Sequence, residues 1–172
     1  KVAKILKGRK VHKDVSLVIA PGSRQVMEMI ARNGALADII SAGGRILENS
    51  CGPCIGMGQA PGTNEVSLRT FNRNFYGRSG TLTAQDYLVS PETAAVSAIY
   101  GVLTDPRELD IDLTVEMPEK FLIDDSMIIP PAENGQEVEV VRGPNIKPFP
   151  VNKALDKAIE GKVLIKVGDN IT

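Results

Sequence analysis

Tryptophan is absent, histidine occurs once, cysteine twice, and aromatic residues fill only 4% of the 172 positions. Each scarcity excludes something. Two cysteines confined to one C-x-x-C cannot staple a secreted disulfide scaffold, and they point to a reducing, cytoplasmic compartment. Together with the single His12 they fall short of the four ligands of a structural zinc site. His12 itself follows Lys10 and Val11 in a charged segment and reads as a solvated surface residue. A net charge of −1 gives no bulk attraction to nucleic acid or to an acidic membrane. The scattered Lys and Arg offer no aromatic stacking platform in a basic groove, which disfavours RNA binding. No apolar run approaches the roughly 18 residues of a membrane-spanning helix, and no signal peptide is visible.

What is present is ordinary in bulk and unusual in one place. Hydrophobic residues at 42% and charged residues at 24% suit a globular domain with a real core. A start at Lys1 and a stop at Thr172 read as cuts from a longer protein. The unusual place is Cys51-Gly52-Pro53-Cys54, hemmed in by Gly43, Gly44, Gly56 and Gly58 and followed by Asn72-Arg73-Asn74-Phe75-Tyr76-Gly77-Arg78.

Around it the chain alternates strand and helix signals. Val2, Ile5 and Leu6 have the spacing of a helix closed by Gly8, and Val15–Ala20 is short and β-branched, as a buried strand is. Ser23 is placed to cap a helix with Val26, Met27, Met29 and Ile30 on its apolar face, stopped by Asn33-Gly34. Leu36, Ile39 and Ile40 mark a second helix ended by Gly43-Gly44, and Arg45–Glu48 is a strand running into the cysteines. That order predicts an α/β fold, in which ligands sit beyond the carboxyl ends of strands. Val66–Phe71 reads as the strand that delivers the arginine run, and Gly80–Asp86 as a polar loop. Ser90-Pro91-Glu92 opens the clearest helix, with Val96, Ile99, Tyr100 and Leu103 on its buried side and Thr104-Asp105-Pro106 as its break. Beyond Asp110 prolines recur. The stretch Pro130–Pro150 reads as a surface linker that includes an edge strand at Gln136–Val141, and a short helix at Asn152–Glu160 and a strand at Lys162–Val167 follow it.

Several chemistries suit a C-x-x-C. Thiol–disulfide exchange needs a long helix from the first Cys, which Ile55–Gly62, rich in Gly and Pro, cannot sustain. An iron–sulfur cluster needs three or four thiolates, and two in a glycine-rich loop suit it, with a further one from elsewhere. Two inert buried cysteines are the bland reading. In the later run, the planar forks of Arg73 and Arg78 match carboxylates bidentately, and Phe71, Phe75 and Tyr76 would hold the loop down.

Taken together, Asn49–Gly56, Asn72–Arg78 and Leu88–Ala94 resemble the aconitase family of iron–sulfur hydro-lyases. The similarity extends to Pro21-Gly22-Ser23 and Gly143–Pro148 and covers most of the chain. It implies a three-layer α/β/α sandwich of the aconitase type over residues 1–120, a Pro-rich linker over 121–160 and the start of a swivelling domain over 161–172. It implies a 4Fe–4S cluster held by Cys51, Cys54 and a third cysteine before Lys1. Arg73 and Arg78 would hold substrate carboxylates, with Asn72 beside the cluster. The catalytic His and Asp residues, and a serine base, would lie outside this stretch, leaving no catalytic residue within it. The implied reaction interconverts citrate and isocitrate through cis-aconitate, in concert with the remaining domains. The alternatives are an isopropylmalate dehydratase or a homoaconitase. A linker on the same chain favours the single-chain arrangement, since isopropylmalate dehydratases keep the last domain on a separate subunit.

Overall fold

The computed structural model describes residues 1–171. The chain divides into two compact units, one spanning Lys1–Met127 and a second beginning at Ile128. The first contains helices α1 (Val2–Leu6), α2 (Arg24–Arg32), α3 (Ala35–Ala42) and α4 (Pro91–Tyr100). It also contains strands β1 (Val18–Ile19), β2 (Arg45–Ile46), β3 (Val66–Arg69) and β4 (Gln85–Leu88). Helices mix with short parallel strands, as in an α/β chain. The strands form two separate parallel ladders rather than one sheet, with Val18 opposite Arg45 in the first and Val66 opposite Gln85 in the second.

Local chemistry explains the helix ends. The Val26 N–H donates to Ser23 Oγ at 3.1 Å, which caps α2. Gly43 closes α3 at φ +103°, and a Cβ on Gly44 would lie 2.7 Å from Ile39 Cγ2. In α4 the Thr93 N–H donates to Ser90 Oγ at 3.1 Å, and Pro91 fills the first helical position, where no N–H is needed. Replacing Ser90 by alanine is expected to cost about 1 kcal/mol, seen as a lower urea midpoint. An unchanged midpoint would mean that Thr93 finds another acceptor.

The core is built on α1. Ile5 packs with Ala95 and Val96 of α4, while Leu6 packs with Ile39 and Ala42 of α3 and against Leu17, Ile19 and Ile46. A five-residue helix survives because these neighbours bury it, not because of its propensity.

Several expectations need correction. The first strand shrinks from Val15–Ala20 to Val18–Ile19, the only residues there with ladder partners. The polar loop Gly80–Asp86 ends early, because Gln85–Leu88 pairs with β3. Helix α4 stops at Tyr100, where Gly101 turns left-handed at φ +78°, three residues before Thr104. Leu103 therefore lies beyond the helix and Tyr100 is its last residue, and both are exposed. His12 is half-buried: its N–H donates to Ala98 O at 2.8 Å, and its ring packs so close to Gly101 that a Cβ there would sit 2.7 Å from Nδ1.

In the second unit the backbone is extended and turning, with one 3₁₀ turn at Gly135–Glu137. The strands expected at Gln136–Val141 and Lys162–Val167, and the helix expected at Asn152–Glu160, are not formed. Alternating apolar residues make a strand only against a partner strand, and a nine-residue helix needs a surface for its stripe. Val140, Leu155 and Leu164 are instead exposed. Of the segment Val167–Thr172, Thr172 lies outside the described residues. No helix among the described residues is long and apolar enough to cross a membrane.

Candidate functional site

Beyond β2 the chain reaches the cysteines through Asn49. With its side-chain amide oriented to suit its neighbours, Asn49 donates to Pro21 O at 3.2 Å and accepts from the Arg24 N–H at 3.1 Å. This joins the Pro21-Gly22-Ser23 turn to the approach of the C-x-x-C. Gly52–Ile55 then forms a single 3₁₀ turn, with Gly56 closing it at φ +91°. The Met57 N–H returns to Gly52 O at 3.0 Å, and glycine and proline beyond it prevent a longer helix. The turn leaves Cys51 exposed and Cys54 buried, with 4% of Cys54 accessible.

The arginine run meets this turn from the loop between β3 and β4. Arg78 Nη2 donates to Cys54 Sγ at 3.0 Å, and its guanidinium lies 5.4 Å from the centroid of Phe75. Arg78 Nε is buried without a hydrogen-bond partner, so the fork has a donor to spare. Arg73 and Asn72 stand exposed on the same loop. The Arg78 hydrogen bond is the main cause that lowers the Cys54 thiol below its ordinary pKa. Burial opposes it, and Cys51 and the charges of Arg78 and Arg73 reinforce it. A lowered thiol carries its thiolate at lower pH. Arg78→Met should therefore move the alkylation profile of Cys54 in cluster-free protein towards higher pH, with Cys51 as the internal reference. A profile that stays put would place the Arg78 fork elsewhere.

Sequence reasoning thus named Cys51, Cys54, Arg73 and Arg78, and the structure gathers Cys54 and Arg78 in direct contact. It missed what lies beneath them. Arg69 on β3 is buried, donates from Nη1 to Pro53 O at 2.7 Å, and pairs through Nε with Asp86 Oδ1 of β4 at 3.2 Å. Asp86 accepts from Ser79 Oγ at 2.7 Å. No local signal marked the pair: Ser67 and Arg69 share one face of β3 and Val66 and Leu68 the other, an alternation that reads Arg69 as facing solvent.

As a metal site the set is partial. Two soft thiolate donors on one turn, with a cation neutralising one of them, have the chemistry an iron–sulfur centre uses. Among the described residues no group of three or more His, Cys, Asp or Glu could hold a metal. The pair therefore fits two corners of such a centre and leaves others to be supplied.

The family model described as "Aconitase family (aconitate hydratase)" matches residues 1–101. A homoaconitase large subunit of Thermus thermophilus is 50% identical over 111 residues, covering 63% of this chain and 26% of the relative. A 3-isopropylmalate dehydratase large subunit of Archaeoglobus fulgidus is 46% identical over 107 residues, covering 62% and 26%. A mitochondrial homoaconitase of Debaryomyces hansenii is 36% identical over 174 residues, covering 98% of this chain and 24% of the relative. The chain spans about a quarter of the length of the curated relatives it matches.

Proposed function

Since this chain belongs to the aconitase family, we propose that it is the sulfur- and acid-holding part of a 4Fe–4S hydro-lyase acting on a hydroxy-polycarboxylate. The observation that carries this reading is the 3.0 Å hydrogen bond from Arg78 to the Cys54 sulfur, which sets cation and thiolate in one site. Cys51 and Cys54 would hold two corners of the cluster, and a third thiolate would come from elsewhere in the protein. The remainder of the protein would also complete the three-layer sandwich and supply the swivelling domain that follows the linker.

When bound, the cluster supplies the Lewis acidity that eases departure of the substrate's hydroxyl. The work of this chain is to bind and orient. Arg73 presents an exposed fork for a carboxylate, with Asn72 beside it. Arg78, packed against Phe75, keeps positive charge next to the sulfur. The 3₁₀ turn fixes both cysteines on a short, stiff backbone.

The names of the relatives support the alternatives better than citrate and isocitrate. The homoaconitase of Debaryomyces hansenii matches through the proline-rich stretch, whereas the two large subunits match about three-fifths of the chain. The longer match favours the linker on the same chain, and two of these three relatives being homoaconitases favours a homoaconitase-type substrate, a hydroxytricarboxylate. The test is full-length protein rebuilt with iron and sulfide and offered cis-homoaconitate, isopropylmaleate and cis-aconitate. Turnover should be fastest with cis-homoaconitate. A filled cluster that hydrates none of the three would end the hydro-lyase reading. In the same protein Arg73→Lys should raise KM and lower kcat, because a point charge replaces a bidentate fork. Unchanged kinetics would remove Arg73 from the site.

A further inference from the structure

We infer that the buried Arg69–Asp86 pair mechanically couples the cysteine turn to the arginine loop, making both residues positioning residues for the site. The inference rests on the reading of Cys51 and Cys54 as cluster ligands.

Each partner reaches a different loop. On the sulfur side Arg69 donates from Nη1 to Pro53 O at 2.7 Å and from Nη2 to Gln59 O at 3.4 Å, gripping the turn and the strand of chain leaving it. On the acid side the Asp86 carboxylate accepts from Ser79 Oγ at 2.7 Å, and its backbone carbonyl accepts from Asn74 Nδ2. Ser79 adjoins Arg78, and Asn74 adjoins Arg73. The two side chains meet through Nε and Oδ1 at 3.2 Å, with 6% and 5% of their surfaces accessible. Parallel pairing of β3 with β4 sets Ser67 opposite Asp86, and Arg69 folds back along its strand, donating to Ser67 Oγ on the way.

Burial turns this chain of contacts into a coupling. A buried ion pair adds little net stability, but separating its members strands a charge in a medium that cannot solvate it. Asp86 Oδ1 has the Arg69 charge and no well-aligned hydrogen bond besides. Movement of the arginine loop that withdraws Ser79 leaves the carboxylate still more dependent on Arg69. Arg69 cannot follow it without releasing Pro53. The two loops therefore keep their places together or lose them together. Lysine would preserve the charge, but a single ammonium lacks the planar fork needed to serve Asp86, Pro53 and Gln59 at once.

The test uses full-length protein with two variants, one at each end. Ser79→Ala keeps the Cβ, which would sit 3.3 Å from a Cβ on Gly56, and deletes only the hydroxyl held by Asp86. In cluster-free protein, iodoacetamide labelling is carried out at alkaline pH, where thiols are ionised and the rate reports access alone, and is followed by peptide mass spectrometry as the ratio of Cys54 to Cys51. The ratio should rise about fivefold in Ser79→Ala, although that change touches the carboxylate and not the sulfurs. Arg69→Lys should raise the same ratio and, in rebuilt enzyme, also raise KM for the acid, although Arg69 lies outside the loop that binds it. A wild-type ratio in Ser79→Ala overturns the coupling, even if Arg69→Lys raises it, because Arg69 would then support the turn alone. If Arg69→Lys loses its far-ultraviolet dichroism and fails to fold, Ser79→Ala decides. Wild-type protein that takes up no cluster would sink the hydro-lyase reading instead, and the labelling comparison would still stand on its own.

Discussion

Serine in place of Cys54 is expected to leave the full-length protein without a stable cluster and with activity reduced by at least about a hundredfold, beyond the ~10–100-fold typical of losing an outer hydrogen-bond partner of a ligand. Serine is close to cysteine in shape, so packing around the turn is kept. The chemistry is not. An alcohol stays protonated at neutral pH and is a hard, weak donor where iron and sulfide call for a thiolate. Burial prevents water from taking the vacant corner, since only 4% of Cys54 is accessible. Arg78 would lose its anionic acceptor at the same time, with its Nε already lacking a partner. Iron content per chain and the visible absorption band report the cluster separately from turnover. A Cys54→Ser protein with full iron and a normal band would remove Cys54 from the ligand set.

Valine at Gly80 is expected to destabilise the protein by roughly 2–5 kcal/mol, combining about 1–2 for left-handed backbone and about 1–3 for overpacking. Gly80 has φ +70°, and a Cβ there would lie 2.2 Å from Pro61 O, a backbone atom that cannot swing away as a side chain does. The glycine lets the end of the arginine loop press against the chain that leaves the cysteine turn. Gly56 does the same from the other side, since its Cβ would meet Ala60 at 3.1 Å and Ser79 at 3.3 Å. The control is Gly22→Ala, where an added Cβ meets nothing within 4 Å and φ is not left-handed. Its stability from urea unfolding should stay within about 0.5 kcal/mol of wild type. If Gly80→Val unfolds at the same midpoint as this control, the close approach of the two loops is wrong.

What could be read from the sequence was mostly what is decided locally. Ser23, Gly43 and the Ser90-Pro91 pair set helix ends through atoms within a few residues, so composition and order sufficed. Cys54 and Arg78, which the structure brings into contact, could be singled out because a thiol and a guanidinium declare their chemistry by residue type. Strand β4 was not, since Gln85-Asp86-Tyr87-Leu88 has no apolar alternation and becomes a strand only by pairing with β3. Arg69 and Asp86 were hidden for the same reason, because a salt bridge between positions on separate strands leaves no local mark. At the other extreme, Lys162–Val167 has a strand's alternation and no partner ladder, so pattern without a neighbour overstated it. Tyr100 and Leu103 were misjudged by carrying a helical stripe past Gly101, where the backbone had already turned.

Parallel strands are usually bridged by a helix, but here residues 70–84 join β3 to β4 as irregular chain, and the guanidinium groups ride on that bridge. A helical bridge would lock seven successive side chains to a fixed pitch, so that altering one would disturb its neighbours. An irregular bridge anchored at a few points leaves Asn72, Arg73, Phe75 and Tyr76 free of the hydrophobic interior. If this loop holds the acid, as proposed above, acids of different length would be accommodated by revising this exposed stretch alone, while the sulfur-bearing turn and the strands beneath it stay unaltered.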